Sequence, residues 1–470
     1  MATSAPLKLA VVGHTNTGKT SLLRTLLHDA QFGVVDSRPS TTREVIQTDV
    51  KIAQQVLLQL FDTPGLEAGT DLYDALNQLT EQHRHDGPAQ VQVFLSSPAA
   101  SEAYEQEAKV LRQLLQSDAA LYVIDVRDPV LPKFQDELAV LARCGKPILP
   151  ILNFVAQQPN HRAAWQQALN HVHLHVQIEF DAVTPPVEGE EILCQRLIAL
   201  VPEFEPQLQA FAQARQQQRQ QRWLVGSQQI AELLVDVAAY QYRVQGHETS
   251  EEHHEFLMRQ VQERVKQREQ QCVQELLALY AFELTAVELP QLNRQTGQWR
   301  DDLFAAQTFA DFGIKTGLGL GSGAAMGAGV DVLVGGLSLG AGTAIGALVG
   351  GVWQGWNHYG KRLVGHLKGE RELIVEDKVL QLLCLRQLAL IQQLAQRGHG
   401  AQHIVQVADA QPLQQEWLRQ VLQLLHKARK KPYWSSMVPA QFVVGKERHQ
   451  CVTKLQQLLQ DNVKFLLIRN

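Results

Sequence analysis

Along the first two hundred residues, short apolar runs alternate with amphipathic stretches. Leu9–Val12, Gln55–Phe61, Ala120–Val126, 146–153 and 173–178 read as strands, buried on both faces where the run is continuous. Between them, apolar residues recur at helical spacing, first as Leu22, Leu23, Leu26 and Leu27, then over 71–85, 103–117, 136–143 and 190–200. Prolines at 147 and 150 weaken the fourth strand. The stretch 87–100 has an apolar centre (Val91, Val93, Phe94, Leu95) but no assignable period. This alternation predicts an α/β domain, a mostly parallel sheet with helices on both faces, over 1–202. Beyond Glu203 only the helical period survives: in the Gln-rich 207–222, in 230–240, 251–280, 370–396, 415–431 and 452–468.

Composition narrows the class. The chain has 470 residues, 45% of them hydrophobic, enough for packed cores. Its net charge of −5 argues against a globally basic nucleic-acid binder. Cys144, Cys194, Cys272, Cys384 and Cys451 are widely spaced and read as buried thiols in a reducing compartment. The first residues lack a secretory apolar segment, so a cytoplasmic location is expected. His253 and His254 beside two glutamates look metal-like, but with no second cluster a solvated helix face is the better reading.

The first strand runs into Gly13-His14-Thr15-Asn16-Thr17-Gly18-Lys19-Thr20-Ser21 and then into a helix. That is the phosphate-binding GxxxxGK[ST] loop in its required strand–helix context. Its backbone N–H groups and helix N-terminus cradle phosphate oxygens, Lys19 reaches the β- and γ-phosphates, and Thr20 binds Mg²⁺. A polar loop containing Thr41, Thr42 and Arg43 follows, where Thr41 or Thr42 is a candidate Mg²⁺ ligand and γ-phosphate sensor. The strand Gln55–Phe61 ends in Asp62-Thr63-Pro64-Gly65-Leu66, placing a carboxylate for Mg²⁺ and the Gly65 N–H for the γ-phosphate.

In these three motifs and their order the chain resembles the Era/TrmE-like branch of the P-loop GTPases. The resemblance implies GTP and GDP as ligands, Mg²⁺ as cofactor, and Asn16 as a candidate K⁺ ligand. A homodimer through the nucleotide-binding domain comes with the same expectation. Leu66 occupies the place of a water-positioning Gln in Ras-like GTPases, and its apolar side chain cannot orient water, so unstimulated hydrolysis is expected to be slow. The guanine-reading Asn-Lys-x-Asp of such proteins is here Asn153-Phe154-Val155-Ala156. Asn153 remains a candidate base contact, Phe154 a stacking surface, and Asp181 with Ala182 a candidate replacement from the next loop, with a plain loop cap as the alternative for Asp181.

The second informative stretch is 313–355, which holds 15 of the 32 glycines in repeated GxxxG spacing, with Lys315 and Asp331 as its only charges. Each interior Gly costs a helix about 1 kcal/mol in water, whereas bilayer favours helix and GxxxG faces pack closely. Trp353, Trp356 and Tyr359, then Lys361 and Arg362, follow as an aromatic belt and a positive flank. A Gly-rich helical hairpin over 312–356, associating with the inner face of the cytoplasmic membrane, is therefore expected; a close-packed helical pair in a soluble domain is the alternative. The expected domains are 1–202, a helical region 203–311, the hairpin 312–356 and a helical region 357–470. The whole arrangement resembles a bacterial family that joins an Era-type GTPase to a helical domain of unknown function. Two rivals are an RNA- or ribosome-associated GTPase, for which only Lys427, Arg429, Lys430 and Lys431 offer a basic cluster, and a nucleotide-binding scaffold with little hydrolysis.

Overall fold

The apolar run Ala119–Asp125 is buried at every position because it lies inside a six-stranded sheet with helices on both faces. The computed structural model describes residues 5–29, 32, 44–52, 54–79, 85–243, 251–282, 291–293, 296, 298–312, 314, 364–366, 372–396 and 415–468. The chain forms two compact units, 1–221 with 395–403, and 222–394 with 404–470.

The first unit runs β1 (Leu7–Val12), α1 (Lys19–Leu27), β2 (Ile46–Ile52), β3 (Gln55–Asp62), α2 (Gly69–Leu79), α3 (Gly87–Leu95), α4 (Glu105–Gln116), β4 (Ala119–Asp125), α5 (Pro132–Ala142), β5 (Ile148–Asn153), α6 (Arg162–His171), β6 (Ile178–Glu179) and α7 (Gly189–Leu200). The sheet order is β2-β3-β1-β4-β5-β6, parallel throughout except for β2, which pairs antiparallel with β3. Alternate strand residues feed two cores. Leu9, Val11, Leu121 and Val123 pack with α1 and α7, while Ala10, Val12, Tyr122 and Ile124 pack with α2 to α6.

Local chemistry explains where sequence periodicity failed. The unassigned 87–100 stretch begins as α3 because the Asp86 side chain accepts from the Ala89 N–H at 3.0 Å and Pro88 starts the first turn. β5 tolerates Pro150 because β6 pairs only with Ile151 and Leu152. The strand expected over 173–178 shrinks to Ile178–Glu179, with α6 closing just before it.

The second unit contains the latter part of α8 (Glu205–Ala239), then β7 (Gln241–Arg243), α9 (Glu251–Leu279), α10 (Ala306–Asp311), β8 (Val364–His366), β9 (Glu372–Val375), α11 (Asp377–Gln396), α12 (Gln415–Arg429) and α13 (Lys446–Ile468). The expected helix over 370–396 starts only at Asp377; before it, β9 pairs antiparallel with both β7 and β8. Apart from residues 312 and 314, the Gly-rich segment 312–356 lies outside the described residues. Among the described residues no helix is long and apolar enough to cross a membrane. All five cysteines are free and buried.

Buried charge ties this unit together. The Asp236 carboxylate of α8 accepts from Arg268 of α9 at 3.0 Å and from Arg448 of α13 at 2.9 Å. The Ser436 N–H and hydroxyl donate to it at 3.1 and 2.6 Å. Truncating one member of such a network leaves the others desolvated and unpaired. Asp236→Ala is expected to cost about 3–5 kcal/mol, read as a lower urea midpoint for this unit; an unchanged midpoint would show that the two guanidinium groups do not depend on the carboxylate.

Candidate functional site at the end of the central strands

The loop 13–18 leaves β1 and folds back over the strand end. The Gly13 and His14 carbonyls accept the Lys19 ammonium at 3.1 and 2.8 Å, and His14 also accepts the Thr17 hydroxyl at 3.0 Å. Gly18 has φ +89°, and a Cβ there would meet Asn153 Nδ2 at 2.4 Å, so the loop turns only with glycine at this position. Gly18 caps α1 without a side-chain bond, and no acidic residue occupies the first turn, which leaves that helix N-terminus suited to an anion. Ser21 follows within α1, and Asn16 is exposed with φ 64°. Burial pushes the Lys19 amine down to about 8, opposed by the charges of Asp62, Glu137 and Glu67.

Asp62, at the end of β3, is fully buried. Its Oδ2 accepts the Thr20 hydroxyl at 2.7 Å, and its Oδ1 has no hydrogen-bond partner. Burial raises the carboxyl's pKa, while the Thr20 hydroxyl and the Lys19 charge hold it down. A buried carboxylate oxygen without a donor, beside a hydroxyl, is an oxygen set that suits a hard divalent cation. These residues fit Mg²⁺.

The next loop is locked onto the first. The Thr63 hydroxyl donates to the Val11 carbonyl at 2.7 Å, and the Leu66 N–H to Gly13 at 3.2 Å. A Cβ on Gly65 would meet the Thr15 backbone N at 2.9 Å, so the two loops touch main chain to main chain. Thr41 and Thr42, the other candidate Mg²⁺ ligands, lie outside the described residues.

The expected base-reading residues act here as a clamp. Asn153 is fully buried; its Nδ2 donates to the Thr17 carbonyl at 2.9 Å, and its Oδ1 accepts from Phe154 at 2.9 Å and Ala182 at 2.8 Å. Asp181 caps its loop by accepting from Val183 at 2.8 Å, Thr184 at 3.2 Å and, across the gap, Ala156 at 3.2 Å. The Ala182 carbonyl accepts the Thr25 hydroxyl of α1. The Phe154 ring lies against Gly18 and carries the Arg127 guanidinium 4.0 Å from its centroid.

Periodicity alone did not reveal a second grip on the loop. Glu137 of α5, 1% exposed, accepts or shares a proton with His14 Nδ1 at 2.7 Å and accepts the Tyr122 hydroxyl at 3.1 Å. The His14 Nε2 lies 3.0 Å from the Lys133 ammonium. The available signal was a carboxylate on an apolar helical stripe, three residues after Phe134 and four before Leu141.

A strand, a glycine loop, a helix opened by Lys and Thr, and a buried Asp on the neighbouring strand define the first unit as a P-loop nucleotide-binding domain. The chain belongs to the family of the domain of unknown function DUF3482, whose model matches residues 166–457. Residues 8–154 match the model described as a 50S ribosome-binding GTPase. Similar proteins include the tRNA modification GTPase MnmE of Desulforamulus reducens, 43% identical over 70 residues, 15% of each chain. MnmE of Bacillus subtilis is 29% identical over 143 residues, 30% of each chain. The matches thus span less than a third of these relatives' own length. A crystal structure of Aquifex aeolicus Era bound to GDP·AlF4⁻ is 18% identical, with a TM-score of 0.27, over 37% of this chain and 50% of that one.

Asn153→Ala would remove three bonds at once and leave the Thr17 carbonyl and the Ala182 N–H without their partner. A loss of about 1–3 kcal/mol is expected, measured by urea unfolding of the first unit; wild-type stability would show that the loops hold without the amide.

Proposed function

We propose that this protein is a Mg²⁺-dependent, slowly hydrolysing GTPase whose nucleotide state controls its helical second unit, which associates with the membrane through 312–356. The observation that carries the nucleotide reading is the Thr20–Asp62 pair with its undonated Oδ1, beside the buried Lys19. When bound there, Mg²⁺ supplies charge that the β- and γ-phosphates require. Lys19 exchanges the loop carbonyls for phosphate oxygens, and the N–H groups of the loop and of α1 hold the rest of the chain of phosphates. The guanine preference is supported by the GTPase family match and by the GTPase names of the MnmE relatives. Asn16 is the proposed K⁺ ligand, and Thr41 or Thr42 the proposed γ-phosphate sensor. Dimerisation through the nucleotide domain belongs to the same proposal and is read by light scattering with a GTP analogue in K⁺.

The membrane reading is supported by the GxxxG pattern and its aromatic and basic flank. An RNA-binding role receives less support, because two cations of the basic cluster are engaged internally. Arg429 donates to Asp377 and to the Val375 carbonyl, and Lys431 pairs with Glu447.

The first test compares GTP and ATP binding and turnover in K⁺ and in Na⁺. GTP preference with K⁺-stimulated turnover is expected, and Lys19→Ala should abolish nucleotide binding. Equal binding of both nucleotides, or normal binding by the Lys19 variant, would overturn the reading.

A pH dependence follows from the Lys19 amine held at about 8. Nucleotide phosphate binds the charged amine, so affinity is full below this value. It then falls as pH rises through it, by up to about tenfold per pH unit, until the higher pKa of the bound state is reached. Titration of a fluorescent GTP analogue between pH 7 and pH 9.5 checks this; a flat profile would show that the ammonium does not contact phosphate.

A further inference from the structure

The loop joining β3 to α2 turns two adjacent side chains in opposite directions. Leu66 points into the core with Leu72 and Leu76, 1% exposed. Glu67 is exposed and comes back to the phosphate loop, where its Oε1 accepts the Thr15 hydroxyl at 2.8 Å. Its backbone is held as well. Glu107 of α4, 5% exposed, accepts from the Ala68 N–H at 3.0 Å and the Glu67 N–H at 3.4 Å. On one side Gly65 lies against the Thr15 backbone, and on the other Gly69 lies against the Glu137 methylene. Glu67 is therefore the first side chain beyond Asp62-Thr63-Pro64-Gly65 that faces the loop carrying Lys19. Its charge is close enough to favour the Lys19 ammonium.

We propose that Glu67 orients the attacking water and accepts its proton, in the role that the buried Leu66 cannot fill, and that Glu107 is the positioning residue that aims it. This rests on the GTPase reading above. A carboxylate is an acceptor only, so it takes a water proton as it takes the Thr15 hydroxyl. The water oxygen bonds to the γ-phosphorus as the bond from that phosphorus to the bridging oxygen breaks. The electron pair leaves with GDP, and the water proton passes to the Glu67 carboxylate and from there to the product phosphate.

The test measures kcat and KM for GTP, and the Kd of a fluorescent GTP analogue, on the full chain in Mg²⁺ and K⁺. Glu67→Ala is expected to lower kcat by about 100-fold or more, with KM and Kd within about threefold of wild type, the signature of an interaction made only in the transition state. Because Glu67 is exposed, its unfolding midpoint should match wild type. Glu107→Ala should lower kcat by about tenfold at unchanged KM, and Glu107→Gln, whose amide oxygen still accepts, should restore it. Glu67→Ala with wild-type kcat, while the wild type turns over GTP, would overturn this proposal alone. A wild type that binds GTP without turnover would overturn the GTPase reading together with it.

Discussion

The side-chain amide of Asn153 is the small interaction on which the first unit's geometry turns. It sits at the end of β5, fully buried, and joins three segments that have no common strand or helix: the phosphate loop, its own strand end and the loop after β6. An amide can do this because it donates and accepts at once. A carboxylate would repel the Thr17 carbonyl, and an apolar residue would leave three backbone groups unpaired in a dry site. The turn at Gly18 and the placement of Phe154 both lean on this contact. The position expected to read guanine is thus a structural joint as well as a candidate ligand.

The sheet and the candidate phosphate loop were legible for a simple reason. Continuous apolar runs such as Ala120–Val126 and the spacing Gly13 to Thr20 are local patterns, and local patterns survive in one sequence. What stayed hidden depends on residues far apart. β2 was missed because its mixed Ile46-Gln47-Thr48-Asp49 pattern belongs to an exposed edge and acquires meaning only against β3. The antiparallel β7-β9-β8 sheet was missed because three- and four-residue strands carry almost no period. Glu137, Glu107 and Glu67 converge on one site from α5, α4 and a loop. Each alone reads as an ordinary helix or loop carboxylate.

Two buried aspartates, one in each unit, meet the problem of interior charge differently. In the first, buried carboxylates face the phosphate loop: Asp62 keeps one oxygen undonated, and Glu137 grips a histidine of the loop itself. In the second, Asp236 is saturated by two guanidinium groups and a serine, with nothing left over for a ligand. The contrast follows from the cost of burying charge. A saturated carboxylate specifies how α8, α9 and α13 meet, whereas one with an undonated oxygen invites a cation.

The burial of every cysteine has a practical corollary. Desolvation pushes the thiols of Cys144, Cys194 and Cys384 up to about 12, so they hold almost no reactive thiolate near neutral pH. Burial thus shields these thiols from alkylating reagents, and a surface cysteine introduced for a spectroscopic label would react ahead of them. The native thiols in turn become clocks. Cys144 and Cys194 report transient opening of the first unit, and Cys272, Cys384 and Cys451 that of the second. The rate at which each is trapped would assign a breathing motion to its own half of the molecule.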